Sequence, residues 1–228
     1  MRSPSRHFVS ARRTAGAATV EFYLVALLAM LPLTLAILEL GALFVAHHSL
    51  KHATFLAARA GALHHGDVGT MRRYLAKGLA PLFTQDRPGD GGAGLTILGI
   101  EAYGRALAEV LRPDLTRIEI LNPTRMSFED FERLQGGVRQ IPNDNLRYRR
   151  ESGPRSEQTI QEANLLSIRV HYCRRLIFPL IDRLITTTLR QLTLDTFAQG
   201  CYARNRVPLG GHALVQMHSA PRRDRMGL

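Results

Sequence analysis

The first acidic residue of the chain, Glu21, lies five residues after Gly16 and directly before an apolar run that begins at Phe22. If the chain were cut after Gly16, Ala17 would carry a free ammonium group about one helical turn from the Glu21 carboxylate. In a bundle of staggered copies, this carboxylate could pair with the ammonium group of a neighbouring subunit. An unpaired charge at the edge of a bilayer is penalised, so the pair would set the axial stagger between subunits. The alternative is local, because an acidic residue in the first turn of a helix interacts favourably with the helix dipole.

The other residues whose side chains could form covalent or metal bonds are two cysteines and nine histidines. Cys173 and Cys201 are expected to form a disulfide if the second half of the chain lies outside the cytoplasm. His48 and His52 have the i,i+4 spacing of a two-ligand metal face, but no carboxylate completes an HExxH pattern, so no metal site is predicted. There is no P-loop and no nucleophile elbow, and we expect neither a cofactor nor catalytic residues.

The apolar run from Phe22 to Ala46 is long enough to cross the ~30 Å hydrocarbon layer of a membrane as a helix. It is longer than the apolar region of a secretory signal peptide, so it is expected to stay in the mature protein. The basic leader, residues 1–16, includes four arginines and no acid. This asymmetry predicts a cytoplasmic N-terminus. Pro32 lies inside the run and is expected to bend the helix.

Glu39 interrupts the apolar run 18 residues after Glu21. That spacing equals about five turns of a straight α-helix, so the two carboxylates would share one face. Because polar residues inside membranes tend to face protein partners, we interpret this face as a packing face in an assembly. The alternative is that Glu39 reaches the outer interface and is solvated.

The segment around Gly16 resembles prepilins. Residues 16–22, GAATVEF, match the pattern in which a prepilin peptidase cuts after glycine and a glutamate at position five of the mature protein directs assembly. Residues 12–62 are similar to the opening of TadE-like proteins of the tight-adherence (Flp pilus) system. The ELG sequence at 39–41 stands where those proteins have an ExG element, and AARAG at 57–61 stands in their Ala- and Arg-rich helical extension.

The resemblance implies a pseudopilin, or minor pilin, that is processed between Gly16 and Ala17. It implies assembly contacts through Glu21 and Phe22, and Glu39 is added to them by the helical spacing. The implied partners are a prepilin peptidase, the other pilin and pseudopilin subunits, and the inner membrane. No nucleic-acid partner is expected, since most of the net charge of +11 would lie outside the cytoplasm.

The chain is predicted to have four segments: a basic prepilin-type leader (1–16), a transmembrane helix (17–46), a helical extension (47–65) and an extracytoplasmic head (66–228). The predicted fold class is α+β, with the long helix extending into a small periplasmic head that has a short antiparallel sheet and packed helices. Within the head, the pattern predicts helices at 71–80, 95–112 and 176–192, strands at 116–121, 165–173 and 212–218, and a loop at 136–163.

The predicted function is structural: a membrane-anchored subunit in assembly of a tight-adherence pilus, and not an enzyme. The alternative is an uncleaved single-span membrane protein whose periplasmic head binds a ligand or an envelope partner. The two differ in where the mature chain begins.

Overall fold

The computed structural model describes residues 17–84, 94–150 and 152–228, and it confirms the predicted α+β class. The helices of the described residues are α1 (Ala17–Val25), α2 (Leu31–Leu63), α3 (Val68–Leu79), α4 (Pro81–Thr84), α5 (Gly94–Val110), α6 (Arg125–Phe131), α7 (Ile160–Ala163), α8 (Pro179–Leu192), α9 (Thr196–Tyr202) and α10 (Arg223–Met226). The strands are β1 (Thr116–Asn122), β2 (Arg133–Gln135), β3 (Val138–Gln140), β4 (Leu165–Arg175) and β5 (Arg206–Gln216).

The main sheet has three antiparallel strands in the order β1–β4–β5, and β2 and β3 form a separate hairpin. In the central strand β4, Ile168, Val170 and Tyr172 are buried and lie on one face, as the sequence alternation predicts. Arg169 lies between two of them and is exposed. This alternation fixes which face of the sheet is covered, because neighbouring residues of a strand point to opposite faces.

The outer half of α2 is the centre of the hydrophobic core. Leu50, Ala53 and Ala57, whose spacing places them on one face of this helix, are fully buried. Here α2 packs against β4, β5 and α3. Small side chains let the elements approach closely: a Cβ atom on Gly211 of β5 would lie 2.4 Å from Oγ1 of Thr54. The helix that continues the apolar N-terminal run is therefore also the element on which the head is built.

Helix α3 lies against α2 through a glycine. A Cβ atom at Gly78 would lie 2.5 Å from Cα and 2.6 Å from Cβ of Ala53. We expect Gly78→Ala to lower the free energy of unfolding by about 1–3 kcal/mol, since the two helices would have to separate. Gly104 in α5 is the matched control, because a Cβ atom there meets nothing within 4 Å. Gly104→Ala should be neutral or stabilise by up to about 1 kcal/mol through helix propensity.

Thermal unfolding of the detergent-solubilised full chain measures both glycine variants. Equal melting temperatures for Gly78→Ala and the unsubstituted chain would contradict the tight α2–α3 contact.

Two of the predicted head helices, at 71–80 and 95–112, correspond to α3 and α5. Helix α3 begins three residues earlier than predicted because Asp67 caps it, accepting a hydrogen bond from the Thr70 backbone N–H at 2.7 Å. The hydrogen bonds from Thr70 lower the pKa of Asp67, so the carboxylate stays charged at the helix N-terminus.

Three other boundaries differ from the prediction. The strand predicted at 212–218 begins at Arg206 and includes Pro208, which is tolerated because β5 is an edge strand. The loop predicted at 136–163 is wrong in part, since β3, α7 and a 3-10 turn (Leu146–Tyr148) lie within it. The helix predicted at 176–192 begins at Pro179, as expected for a proline in a first helical turn.

Candidate membrane anchor and assembly site

One helical stretch of the described residues, Thr19–Leu63, is long and apolar enough to cross a membrane, and only 6% of its most apolar window is buried within the protein. Large apolar side chains are exposed along its first half, among them Phe22, Leu28 and Ile37. Exposure of so many apolar side chains to water would be strongly unfavourable, whereas they are stable in the hydrocarbon layer of a membrane. The helix is therefore compatible with a single-pass membrane protein.

The predicted processing site lies at the start of this helix. Gly16 lies outside the described residues, and Ala17 is the first residue of α1. Glu21 is exposed and has no hydrogen-bond or ion-pair partner among the described residues. Phe22 is 68% exposed and makes an edge contact with Tyr23. Glu21 and Phe22 thus remain available for contacts outside their own chain, and their assembly roles stay predictions.

A π-helical segment, Ala26–Met30, joins α1 to α2 directly before Pro32. The backbone N–H of Leu31 donates to the carbonyl of Ala26, five residues earlier. Pro32 has no N–H to donate, and the wider π turn adapts the hydrogen bonding around it. The segment also changes the prediction that Glu21 and Glu39 share one helix face. A turn with i→i+5 bonding contains more residues than an α-helical turn, so it changes the angle about the helix axis between the two side chains. The straight helix on which their shared face was predicted is interrupted.

Glu39 is buried, with 1% of its surface exposed. Its carboxylate accepts hydrogen bonds from two backbone N–H groups: Ile177 lies 3.0 Å from Oε2, and Phe178 lies 2.9 Å from the same oxygen. The interpretation of Glu39 as a solvated residue is therefore wrong. Its partners are backbone groups of its own chain. The packing-face interpretation instead predicted a partner in a neighbouring subunit.

The bonded groups lie at the start of α8, whose N-cap residue is Phe178 and whose first turn contains Pro179. A carboxylate at this end of a helix is favoured by the helix dipole as well as by the hydrogen bonds. Glu39 thus ties the end of the apolar span to the head. No local sequence pattern predicts this contact, because 138 residues separate Glu39 from Ile177.

Cys173 and Cys201 are joined in a disulfide, with a Cα–Cα distance of 5.4 Å, and the predicted pairing is confirmed. Cys173 is adjacent to Tyr172 in β4, so it points to the sheet face opposite the α2 core. There it packs with Leu115 and Phe197. Cys201 lies on α9, a helix without a counterpart among the predicted elements. Closing a sequence separation of 28 residues stabilises the fold by about 3–4 kcal/mol.

The two histidines with metal-like spacing lie on the exposed side of α2. His48 stacks edge-on with Phe44 at a ring-centroid distance of 4.4 Å. Within residues 17–84, 94–150 and 152–228, no three His, Cys, Asp or Glu side chains form a group that could hold a metal ion.

These features define a class: an α+β protein whose long N-terminal helix is apolar and exposed along its first half and packs into the head along its second. A family model described as TadE-like protein matches residues 16–59. This match confirms the TadE-like resemblance over the anchor and the start of the helical extension. No curated protein and no solved structure gives a significant match to the chain.

Proposed function

We propose that the chain is a TadE-like minor pilin, or pseudopilin, that serves as a membrane-anchored structural protein in assembly of a tight-adherence (Flp-type) pilus. The observation that carries this proposal is the match at residues 16–59, which starts at the glycine of the predicted cut and includes Glu21. The exposed apolar surface of the same helix supports it, since pilin helices pack against one another or against lipid along this surface.

The proposed life cycle begins with cleavage by a prepilin peptidase between Gly16 and Ala17. The chain is then held in the inner membrane by α1, the π-helical segment and the first half of α2, with its N-terminus in the cytoplasm and its head in the periplasm. The disulfide supports this orientation, because disulfides form and persist in oxidising compartments such as the periplasm.

In the assembly, the freed ammonium group of Ala17 and the Glu21 carboxylate provide opposite charges near the inner edge of the bilayer. In a staggered bundle, the carboxylate of one subunit pairs with the ammonium group of the next. The pair fixes the axial register, because a charge left unpaired in this environment is unfavourable. The role is structural and involves no catalysis by this chain.

Deleting the gene tests the proposal at the level of the whole protein. We expect cells without the chain to lose tight-adherence pili, and expression of the full chain from a plasmid to restore them, whereas an empty plasmid does not. Counting filaments by electron microscopy measures the effect. Normal filament numbers in the deletion strain would overturn the proposed function.

A further inference from the structure

A cavity of about 560 Å³ lies on the head next to the residues that Glu39 binds. The charged residues that line it within the described part of the chain are four arginines and one glutamate: Arg105, Arg174, Arg175, Arg206 and Glu109. Arg174 and Arg175 are the last two residues of β4, and Arg206 is the first residue of β5. The antiparallel pairing of these strands brings the three arginines to one end of the sheet.

Among the described residues of this lining, the one acidic group, that of Glu109, is already paired. Glu109 Oε1 accepts a hydrogen bond from Arg206 Nη2 at 2.8 Å, and its Oε2 accepts one from the Tyr172 hydroxyl at 2.6 Å. Burial, together with the Glu109 charge, raises the pKa of Tyr172, so the hydroxyl keeps the proton that it donates. Arg206 also donates to the carbonyl of Cys173. Both oxygens of the Glu109 carboxylate are therefore taken up by Arg206 and Tyr172.

Arg174 and Arg175 have no hydrogen-bond or ion-pair partner for their side chains among the described residues. Arg105 makes only a long contact of 3.9 Å with Glu101, and both side chains of that pair are about half exposed. Arginine holds phosphate oxygens well, because its planar guanidinium group presents several N–H donors in a fixed arrangement. Arg174 and Arg175 therefore present donors and positive charge that no carboxylate of the described residues receives.

The position of the cavity relative to the membrane follows from Ile177. This residue lines the cavity and donates its backbone N–H to Glu39. Glu39 lies 20 residues after Thr19, the first residue of the candidate span. At 1.5 Å per residue this distance is about 30 Å, the thickness of the hydrocarbon layer. Ile177 itself is 51% exposed and apolar. The cavity thus opens where acyl chains end and lipid phosphates begin.

We propose that Arg174 and Arg175, assisted by Arg105, bind the phosphate group of an anionic phospholipid in the leaflet next to the head. The head is then held on the membrane surface by a lipid contact in addition to the Glu39 contact. This proposal rests on the membrane placement of the helix and does not require that the chain enters a pilus. The proposed lipid contact is made by the head and is separate from the contacts of the apolar helix with the membrane.

The test uses the full chain purified in a non-ionic detergent and titrated with short-chain phosphatidylglycerol, with bound lipid counted by native mass spectrometry. The double variant Arg174→Gln/Arg175→Gln should bind this lipid at least about tenfold more weakly than the unsubstituted chain. The control Arg147→Gln/Arg150→Gln removes the same charge from two exposed arginines outside the cavity and should bind as the unsubstituted chain does. The intact disulfide and an unchanged melting temperature verify that both variants fold.

Two further titrations identify the source of the phosphate. Short-chain phosphatidylcholine should bind more weakly than phosphatidylglycerol, and inorganic phosphate at the same concentration should not bind measurably. Equal loss of binding in both double variants, or equal affinity for inorganic phosphate and lipid, would overturn the proposal. Lipid binding that is unchanged in Arg174→Gln/Arg175→Gln, with loss of co-purifying pilus subunits, would overturn it in favour of an acidic protein partner. Because none of these measurements involves piliation, their failure is distinguishable from failure of the proposed function.

Discussion

Glu21→Ala should leave the chain in the membrane and abolish its function in assembly. The apolar surface of the helix is unchanged by this substitution, and removal of one charge from its end can only ease insertion. What is lost is the partner of the Ala17 ammonium group in the neighbouring subunit. We expect the variant, expressed in the deletion strain, to appear in the membrane fraction at normal levels and to restore less than about a tenth of the filaments.

Two companion variants separate the charge at this position from other effects. Glu21→Gln keeps nearly the same size and should fail as Glu21→Ala does, because the charge is what pairs. Asp224→Ala removes a carboxylate that is exposed on the head and only loosely paired with Arg225, and it should restore filaments fully. Normal filament numbers with Glu21→Gln would contradict the proposed pairing, even if the chain is shown to be a pilus component.

Glu39→Ala should loosen the contact between the anchor and the head. The substitution leaves the backbone N–H groups of Ile177 and Phe178 without their acceptor in a place where Glu39 itself is buried. Hydrogen bonds to a charged group contribute about 1.5–3 kcal/mol, so the start of α8 should open more readily by a comparable free energy. Hydrogen exchange of the two amides should accelerate by about 10- to 150-fold.

Glu39→Gln is the matched variant for this contact. Its side-chain carbonyl keeps one acceptor and loses the negative charge, so we expect exchange rates between those of Glu39→Ala and the unsubstituted chain. Amides in the centre of β4, such as that of Val170, should exchange unchanged in both variants. If the amides of Ile177 and Phe178 exchange equally fast in all three proteins, Glu39 does not hold the start of α8.

The parts of the molecule that the sequence predicted are those governed by local patterns. The anchor follows from one long apolar run, and the buried face of β4 follows from the alternation of Ile168, Val170 and Tyr172. The disulfide partners follow from an even cysteine count, once the compartment is inferred from the anchor. The apolar run and the alternation are strong signals because many neighbouring residues contribute to them. The disulfide is predictable because two cysteines allow a single pair.

The features that escaped prediction depend on contacts between distant residues or on weak local signals. Glu39 looks like a membrane packing residue until α8 is placed against it, and nothing near either partner signals the contact. The hairpin of β2 and β3 is three residues per strand, too short and too polar for a period to be visible. The arginine cavity exists only because β4 and β5 pair over their full length and bring Arg174, Arg175 and Arg206 together.

The burial of Glu39 assigns different surroundings to the two acidic residues of the anchor. Glu21 is exposed at the start of the helix, whereas Glu39 is held by backbone groups of the head. A carboxylate that already accepts hydrogen bonds within its own chain is poorly suited to pair with a neighbouring subunit. In the proposed assembly, subunit recognition therefore belongs to the beginning of the helix, whereas the end of the apolar span holds the head.

The intact mass of the chain, purified from the membranes of cells that express the processing peptidase, distinguishes the cleaved from the uncleaved form. We expect a protein that begins at Ala17 and keeps the disulfide between Cys173 and Cys201. A protein that still begins at Met1 in those cells would contradict this expectation and would favour an uncleaved, single-span anchor for a periplasmic binding head.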